Sequence, residues 1–225
     1  MKPYIISHMM MSVDGRIDCP VMAQLSDNEY YDALVQLEPC SKLSGRVTAA
    51  LECSAAKESD RNSDSKNHLE SESINIACKS NEYTIVVDTF GKLDWISSEA
   101  DGHPVITIMS ENVSPVYLDS LKALGISWVA TGKNEIDLRR AVEILKERFG
   151  IDRLAIVGGG NINGGFLASG LIDEISVLVA PGIDGRKGMT SVFDGITGKD
   201  DTPFHLKLKS VDKIGNDVIW LRYVV

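Results

Sequence analysis

The sequence is short of what strand-wrapping nucleic-acid binders, membrane proteins and metalloproteins need. Its Lys+Arg total of 23 is outweighed by 32 Asp+Glu, for a formal net charge of −9. Nucleic-acid binding depends on clustered cations to meet phosphates, so a general nucleic-acid partner is not expected. No apolar run approaches the roughly 20 residues that cross a bilayer. The apolar stretch Tyr4 to Met11 runs straight into Ser12-Val13-Asp14-Gly15-Arg16 with no small-residue cleavage site. It reads as a first strand rather than a signal peptide. Cys19, Cys40, Cys53 and Cys78 have neither close pairing nor metal-ligand spacing, which points to reduced thiols in a cytoplasmic protein. His8, His68, His103 and His205 are scattered, and no metal is assigned. With no internal repeat and no strong linker, residues 1–225 are read as one domain.

What is present is an alternation of strand and helix signals. Strands are expected at Tyr4 to Met11, Cys40 to Ser44, Tyr83 to Val87, Pro104 to Met109, Ile126 to Ala130 and Arg153 to Val157. Helices are expected from Asn28 to Leu37 (capped by Ser26 or Asp27), from Thr48 onward, from Ser114 to Leu124 and from Asp137 to Phe149. The last has Leu138, Val142, Leu145 and Phe149 on one face and stops at Gly150. Glu174 to Ala180, His205 to Val211 and Val218 to Val224 follow, the final two joined through Gly215-Asn216 as an antiparallel hairpin. Residues from about Lys57 to Glu82 are rich in Ser, Asp, Glu, Asn and Lys and read as a surface excursion. The pattern predicts an α/β fold with a mostly parallel sheet and antiparallel additions.

Two strand-to-helix junctions stand out. The run Gly158-Gly159-Gly160-Asn161-Ile162-Asn163-Gly164-Gly165 follows an apolar strand and leads to a helix-like stretch from Gly165 to Ser169. Glycines there let backbone amides approach an anion, and a helix N-terminus favours negative charge. The alternative is a turn that packs a helix tightly on a sheet. A Rossmann domain is disfavoured: that fingerprint opens its unit and needs an acidic residue about 20 positions on, at a strand end. The second junction is Gly45-Arg46-Val47-Thr48, where Thr48 can cap the helix and Arg46 can pair with a phosphate; an ordinary surface Arg beside a capped helix is the alternative.

Taken in order, Ser12-Val13-Asp14-Gly15-Arg16-Ile17, Gly45-Arg46-Val47-Thr48, Val86-Val87-Asp88-Thr89, Gly158-Gly159-Gly160, Gly170-Leu171-Ile172-Asp173-Glu174 and Ala180-Pro181 resemble the dihydrofolate-reductase-like superfamily. The branch resembled is the reductase domain of the bifunctional riboflavin-biosynthesis deaminase-reductase. The resemblance covers nearly all of the chain outside 57–82. It implies a single domain with a central, mostly parallel eight-stranded sheet flanked by helices, an antiparallel C-terminal hairpin, NADPH as cofactor and a homodimer. By position it makes Gly45, Arg46 and Thr48 cofactor-phosphate contacts and Thr89 an adenosine-side contact. Gly158, Gly159, Gly160, Asn161 and Ile162 would hold the pyrophosphate and nicotinamide ribose, and Met10 with Met11 would lie against the nicotinamide.

The resemblance also has gaps. The riboflavin reductases carry Asp-Asp-Pro and Leu-Thr-x-Arg where this chain has Glu52 to Ser59, and a Glu where it has Val157. Lys57 and Arg61 are candidate replacements for the missing phosphate contacts. The expected reaction is hydride transfer from a nicotinamide to a small C=N or C=O substrate, of the 5-amino-6-(5-phosphoribosylamino)uracil reductase type. A superfamily reductase with another, pterin-like substrate and a non-catalytic nucleotide-binding module are the alternatives. Glu29, near the helical place of the dihydrofolate reductases' acid, and Asp14 are the candidate proton donors. Their bland readings are a first-turn Glu supporting the helix dipole and a turn residue before Gly15.

Overall fold

The computed structural model describes residues 1–58, 68–197 and 202–225; Arg61 and much of the early polar stretch lie outside them. The first elements are β1 (Tyr4–Met11), α1 (Cys19–Met22), α2 (Glu29–Val35), β2 (Ser41–Gly45), α3 (Arg46–Glu52), β3 (Ala56–Glu58), β4 (Ser73–Asn75), β5 (Thr84–Val87), β6 (Leu93–Trp95) and β7 (Glu99–Ala100). There follow β8 (His103–Met109), α4 (Pro115–Leu124), β9 (Ser127–Ala130), α5 (Leu138–Phe149), β10 (Arg153–Gly158), α6 (Gly160–Ala168), β11 (Glu174–Val179), β12 (Lys207–Ile214) and β13 (Val218–Val224). The architecture is mixed α/β, with a central mostly parallel sheet, flanking helices and antiparallel C-terminal strands.

Two compact units are distinguished: Met1–Pro3 with Ser41–Leu154, and Tyr4–Cys40 with Ala155–Val225. In the first, β2, β5, β8 and β9 are parallel neighbours and β4 adds antiparallel to β9. The four residues of β5, Thr-Ile-Val-Val, are all buried, as expected of a parallel strand covered on both faces. Helix α5 buries Ala141, Val142, Ile144, Leu145 and Phe149. Its Asp137 side chain accepts the Arg140 amide at 2.9 Å, and Gly150 closes it in the left-handed region at φ 77°. A core of Val86, Leu93, Met109, Tyr117, Leu121 and Trp128, among others, fills this unit.

In the second unit β1 pairs parallel with β11, β11 antiparallel with β13, and β13 antiparallel with β12. The strand order is β12-β13-β11-β1-β10. Alternation along β1 puts Ile6, His8 and Met10 on one face and Ser7, Met9 and Met11 on the other. Ile6 and Met10 join Met22, Ala33, Leu37, Leu178 and Trp220 in a core cluster.

Four expectations need correcting. The sheet exceeds eight strands, because five strands run side by side in each unit, and β4 arises inside the polar stretch. Helix α3 starts at Arg46 with Gly45 as its cap, so Thr48 is the third helical residue and not the cap. Helix α2 is capped by Asn28 with no side-chain bond; instead Glu29 Oε2 accepts the Asp27 amide at 2.8 Å. Helix α6 starts at Gly160, inside the glycine run, five residues before the expected Gly165.

Candidate active site

The early start of α6 comes from tertiary contacts, since Gly and Asn are poor helix formers. A strap of residues 189–196 passes over the helix. The Asp194 amide donates to the Gly160 carbonyl at 3.0 Å, and a Cβ on Gly160 would collide with the Ser191 carbonyl oxygen. A Cβ on Gly164 would likewise meet the Asp194 carbonyl oxygen. Fully buried Asn163 fastens the assembly: its Nδ2 donates to the Val192 carbonyl at 2.8 Å, and its Oδ1 accepts the Ser7 hydroxyl of β1 at 3.0 Å.

The run therefore does two jobs. Gly160 and Gly164 are small because the strap crosses them. Gly159, the helix cap, has φ 91° and ψ 119°, a conformation that L side chains disfavour. The first-turn amides of a helix find no carbonyl within it. In α6 those amides belong to Gly160, Asn161 and Ile162, and Asn161 is exposed while Gly159 and Ile162 are half-buried. The start of such a nine-residue helix, capped by a glycine without a side-chain bond, could hold an anion at these amides. Gly158, the last residue of β10, is buried and brings the chain to that point.

Met10 and Met11 separate. Met10 packs in the core with its sulfur 3.0 Å from the Ser26 hydroxyl. Met11 is half-buried on the opposite face of β1, the face on which Ser7 reaches α6. The side chain presented on the α6 side of the strand end is thus that of Met11.

After β1 the chain folds into a tied loop. The Asp14 carboxylate accepts the Ser12 hydroxyl at 2.6 Å and the amides of Asp184 and Gly185 at 3.0 Å each. These bonds, that from Ser12 foremost, hold its pKa down at about 2. Asp14 is accordingly a carboxylate at neutral pH, joining two loops. Nearby, Arg16 donates to the Met189 carbonyl at 2.6 Å, and Arg186 pairs with Asp18 and Asp184. Glu29, besides holding the Asp27 amide, lies against Gly215 in the turn between β12 and β13.

His8 is fully buried in β1, with ring nitrogens 2.9 Å from the Ser176 hydroxyl and 3.1 Å from the Tyr30 carbonyl. Trp220 Nε1 donates to the same hydroxyl at 2.8 Å. The network assigns the tautomer: Ser176 donates to Nδ1, and Nε2–H donates to Tyr30. Burial lowers the His8 pKa to about 4, so the ring is neutral.

The first unit carries the remaining candidates. Gly45 ends β2 opposite Val87 of β5. Arg46, the first residue of α3, is ion-paired with Glu58 at the end of β3. Thr48, two residues on in the same turn, is half-buried. Asp88 follows β5 and is buried; its Oδ2 accepts the Leu93 amide at 2.8 Å, while Oδ1 has no partner among the described residues. Burial pushes its pKa up, against the opposing pull of the Lys92 and Leu93 amides and the Arg46 charge. The half-buried Thr89 uses its carbonyl to accept both the amide and the hydroxyl of Ser110, at 3.0 and 2.9 Å.

Sequence reasoning passed over Asn163, the 189–196 strap, Glu58 and the free oxygen of Asp88. Only Asn163 left a signal, as an amide side chain inside a stretch otherwise built of glycine and apolar residues. Among the described residues no group of three or more His, Cys, Asp or Glu is placed to hold a metal. No helix among them is long and apolar enough to cross a membrane.

A 2,5-diamino-6-ribosylamino-4(3H)-pyrimidinone 5′-phosphate reductase from Methanothermobacter thermautotrophicus is 26% identical over 227 residues, covering 97% of each chain. The structure of Acinetobacter baumannii RibD superimposes with a TM-score of 0.71 at 20% identity over 99% of this chain, which spans 58% of that longer protein. A pyrimidine reductase-like protein from Corynebacterium diphtheriae gives a TM-score of 0.71 at 18% identity, over 99% of this chain and 91% of its own. Both structural likenesses speak for the fold. Residues 3–220 match the family described as the RibD C-terminal domain, and the chain belongs to that family.

Proposed function

We propose that the chain is an NADPH-dependent reductase of the riboflavin-biosynthesis type, acting on a 5′-phosphorylated ribosylaminopyrimidine. The observation that carries this is the bare, glycine-capped start of α6, in a chain that matches a named reductase of that substrate class over 97% of both lengths. Gly159, Gly160, Asn161 and Ile162 would hold the cofactor diphosphate through backbone amides. Arg46 is read as the residue that recognises a 2′-phosphate, supported by Thr48, with Thr89 on the adenosine side. Met11, rather than Met10, supplies the apolar surface at the end of β1.

When bound, a nicotinamide cofactor would supply a hydride to the carbon of a C=N bond, whose nitrogen would take a proton. The chain's own contribution is to orient the partners and exclude water from the reacting face. Asp14 is read as the residue that holds the loop after β1 against residues 184–185, because its carboxylate is ionised and already accepts three hydrogen bonds. Glu29 is read as an anchor of the start of α2, and the proton as coming from solvent.

The test is NADPH oxidation, followed by loss of nicotinamide absorbance, with the ribosylaminopyrimidine 5′-phosphate as substrate. Turnover that requires both compounds supports the reading. Binding of NADPH with no oxidation by this substrate would move the chain to another substrate class, which the absent Asp-Asp-Pro and Leu-Thr-x-Arg residues already make the leading alternative. No binding of NADPH at millimolar concentration would sink the reading altogether.

A further inference from the structure

The ion pair between Arg46 and Glu58 sits in a setting that an incidental surface pair lacks. Glu58 ends β3 opposite Leu93 of β6. Leu93 is itself fixed from both sides: its amide donates to Asp88 at 2.8 Å and its carbonyl accepts the Tyr117 hydroxyl at 3.0 Å. The backbone of Glu58 is therefore placed by a ladder whose other strand is tied to the buried Asp88. Arg46 faces two carboxylates, Glu58 by direct contact and Asp88 through space. The guanidinium best suited to a phosphate is already neutralised by the chain's own acid.

We propose that Glu58 is a specificity-determining residue, which occupies Arg46 until a phosphate monoester dianion displaces it. The side chains of Arg46 and Glu58 are 29% and 57% exposed. Water screens such a pair, so it is worth little and yields to a better partner. A phosphate dianion has twice the charge of the carboxylate and can take the guanidinium in a forked pair. A ligand without that phosphate leaves the internal pair closed and gains nothing from Arg46. Glu58 thus lowers affinity for phosphorylated ligands somewhat and prevents Arg46 from attracting other anions, a form of selection against wrong partners. The inference rests on the reading of Arg46 as a phosphate contact.

Calorimetric titration of the whole chain with adenosine 2′,5′-bisphosphate, 5′-AMP and ribose 5-phosphate tests it, in wild type, Glu58→Gln, Arg46→Ala and the double variant. Glu58→Gln should tighten the bisphosphate about two- to fivefold, the size of a released surface ion pair, and leave 5′-AMP unchanged. In the Arg46→Ala background the same change should give no gain. An unchanged or weakened bisphosphate affinity in Glu58→Gln, an equal gain for 5′-AMP, or a gain that persists without Arg46 would each overturn the proposal. A gain confined to ribose 5-phosphate would overturn it in favour of a substrate phosphate. Failure of the underlying reading looks different: Arg46→Ala would then bind the bisphosphate as well as wild type does.

Discussion

The start of α6 and the edge around Arg46 both follow a sheet strand, yet they are stabilised in different ways. At α6 the side chain of Asn163 and the carbonyl of Gly160 are each satisfied, and two glycines are crossed by a neighbouring segment. Around Arg46 one carboxylate oxygen of Asp88 is buried with no partner among the described residues, and the cation is held by an exposed acid. The first region is set by shape and has one arrangement. The second is set by charge, and its pairing can be exchanged by a competing anion.

The largest effect is expected where shape rules. Gly164→Val pushes a side chain into the Asp194 carbonyl, and the strap yields by breaking its bonds to Asn163 and Gly160. Overpacking of this kind should cost about 2–3 kcal/mol, a fall in Tm of roughly 5–10 °C for a chain of this length. Thermal unfolding followed by circular dichroism measures it. A variant that melts with wild type would show that the strap moves freely and would erase the contrast between the regions.

Acid titration separates one buried group of each unit by sign. Burial holds His8 at about 4, against 6.5 in an unfolded chain, so the folded state binds this proton more weakly. Its contribution to stability is whole above pH 6.5 and is lost as pH falls toward 4, by ~3 kcal/mol. Asp88 behaves in the opposite sense: burial raises its pKa above the ordinary value of 3.8, so the folded state binds that proton more tightly. Its cost is absent below pH 3.8 and appears as pH rises through the folded value. Urea midpoints between pH 4 and 7 should therefore show a shallower acid loss in His8→Gln than in wild type. Asp88→Asn should raise the pH 7 midpoint by the equivalent of about 1 kcal/mol, since the amide keeps an acceptor for Leu93 and sheds a buried charge. A destabilised Asp88→Asn would mean that Oδ1 accepts a hydrogen bond worth keeping, with the Lys92 amide as its donor.

Much of the fold can be read from local pattern. β1 and β13 fall at the expected residues, and α5 begins at Asp137 and ends at Gly150 as its cap chemistry predicts. Those signals lie within a few residues of the feature they specify. The misplaced starts of α3 and α6 have a different cause. Gly45 and Gly159 cap without side chains, so no residue type marks them, and the hydroxyl of Thr48 drew the reading inward. The strap that sets α6 lies 29 residues from Asn163, the separation of their bond, and no periodicity announces such a contact. The same holds for Met10 and Met11: the sequence places both at the strand end, while only the covering of α2 and α6 on opposite faces decides which side chain is core. Arg46 was legible as a cation at a strand end; its partner Glu58, 12 residues on, was not, because a charged residue in a polar stretch looks like any other.

The smallest expected effect is also a sharp test of chemistry. In Glu29→Gln the amide oxygen can still accept the Asp27 amide, the bond now made by Glu29 Oε2, so the start of α2 should survive. If Glu29 is an anchor, kcat should stay within about twofold of wild type and the pH profile of kcat should not move, since general acid catalysis would not be involved. If the side chain instead delivers the proton, the loss should be on the order of 100- to 10,000-fold and should remove the alkaline limb of the profile. Steady-state rates across pH 5–9 distinguish the two. An intact rate in Glu29→Gln together with a raised KM in Asp14→Asn would leave both carboxylates as builders of loops, with shape governing the second unit and the exchange of charge confined to the first.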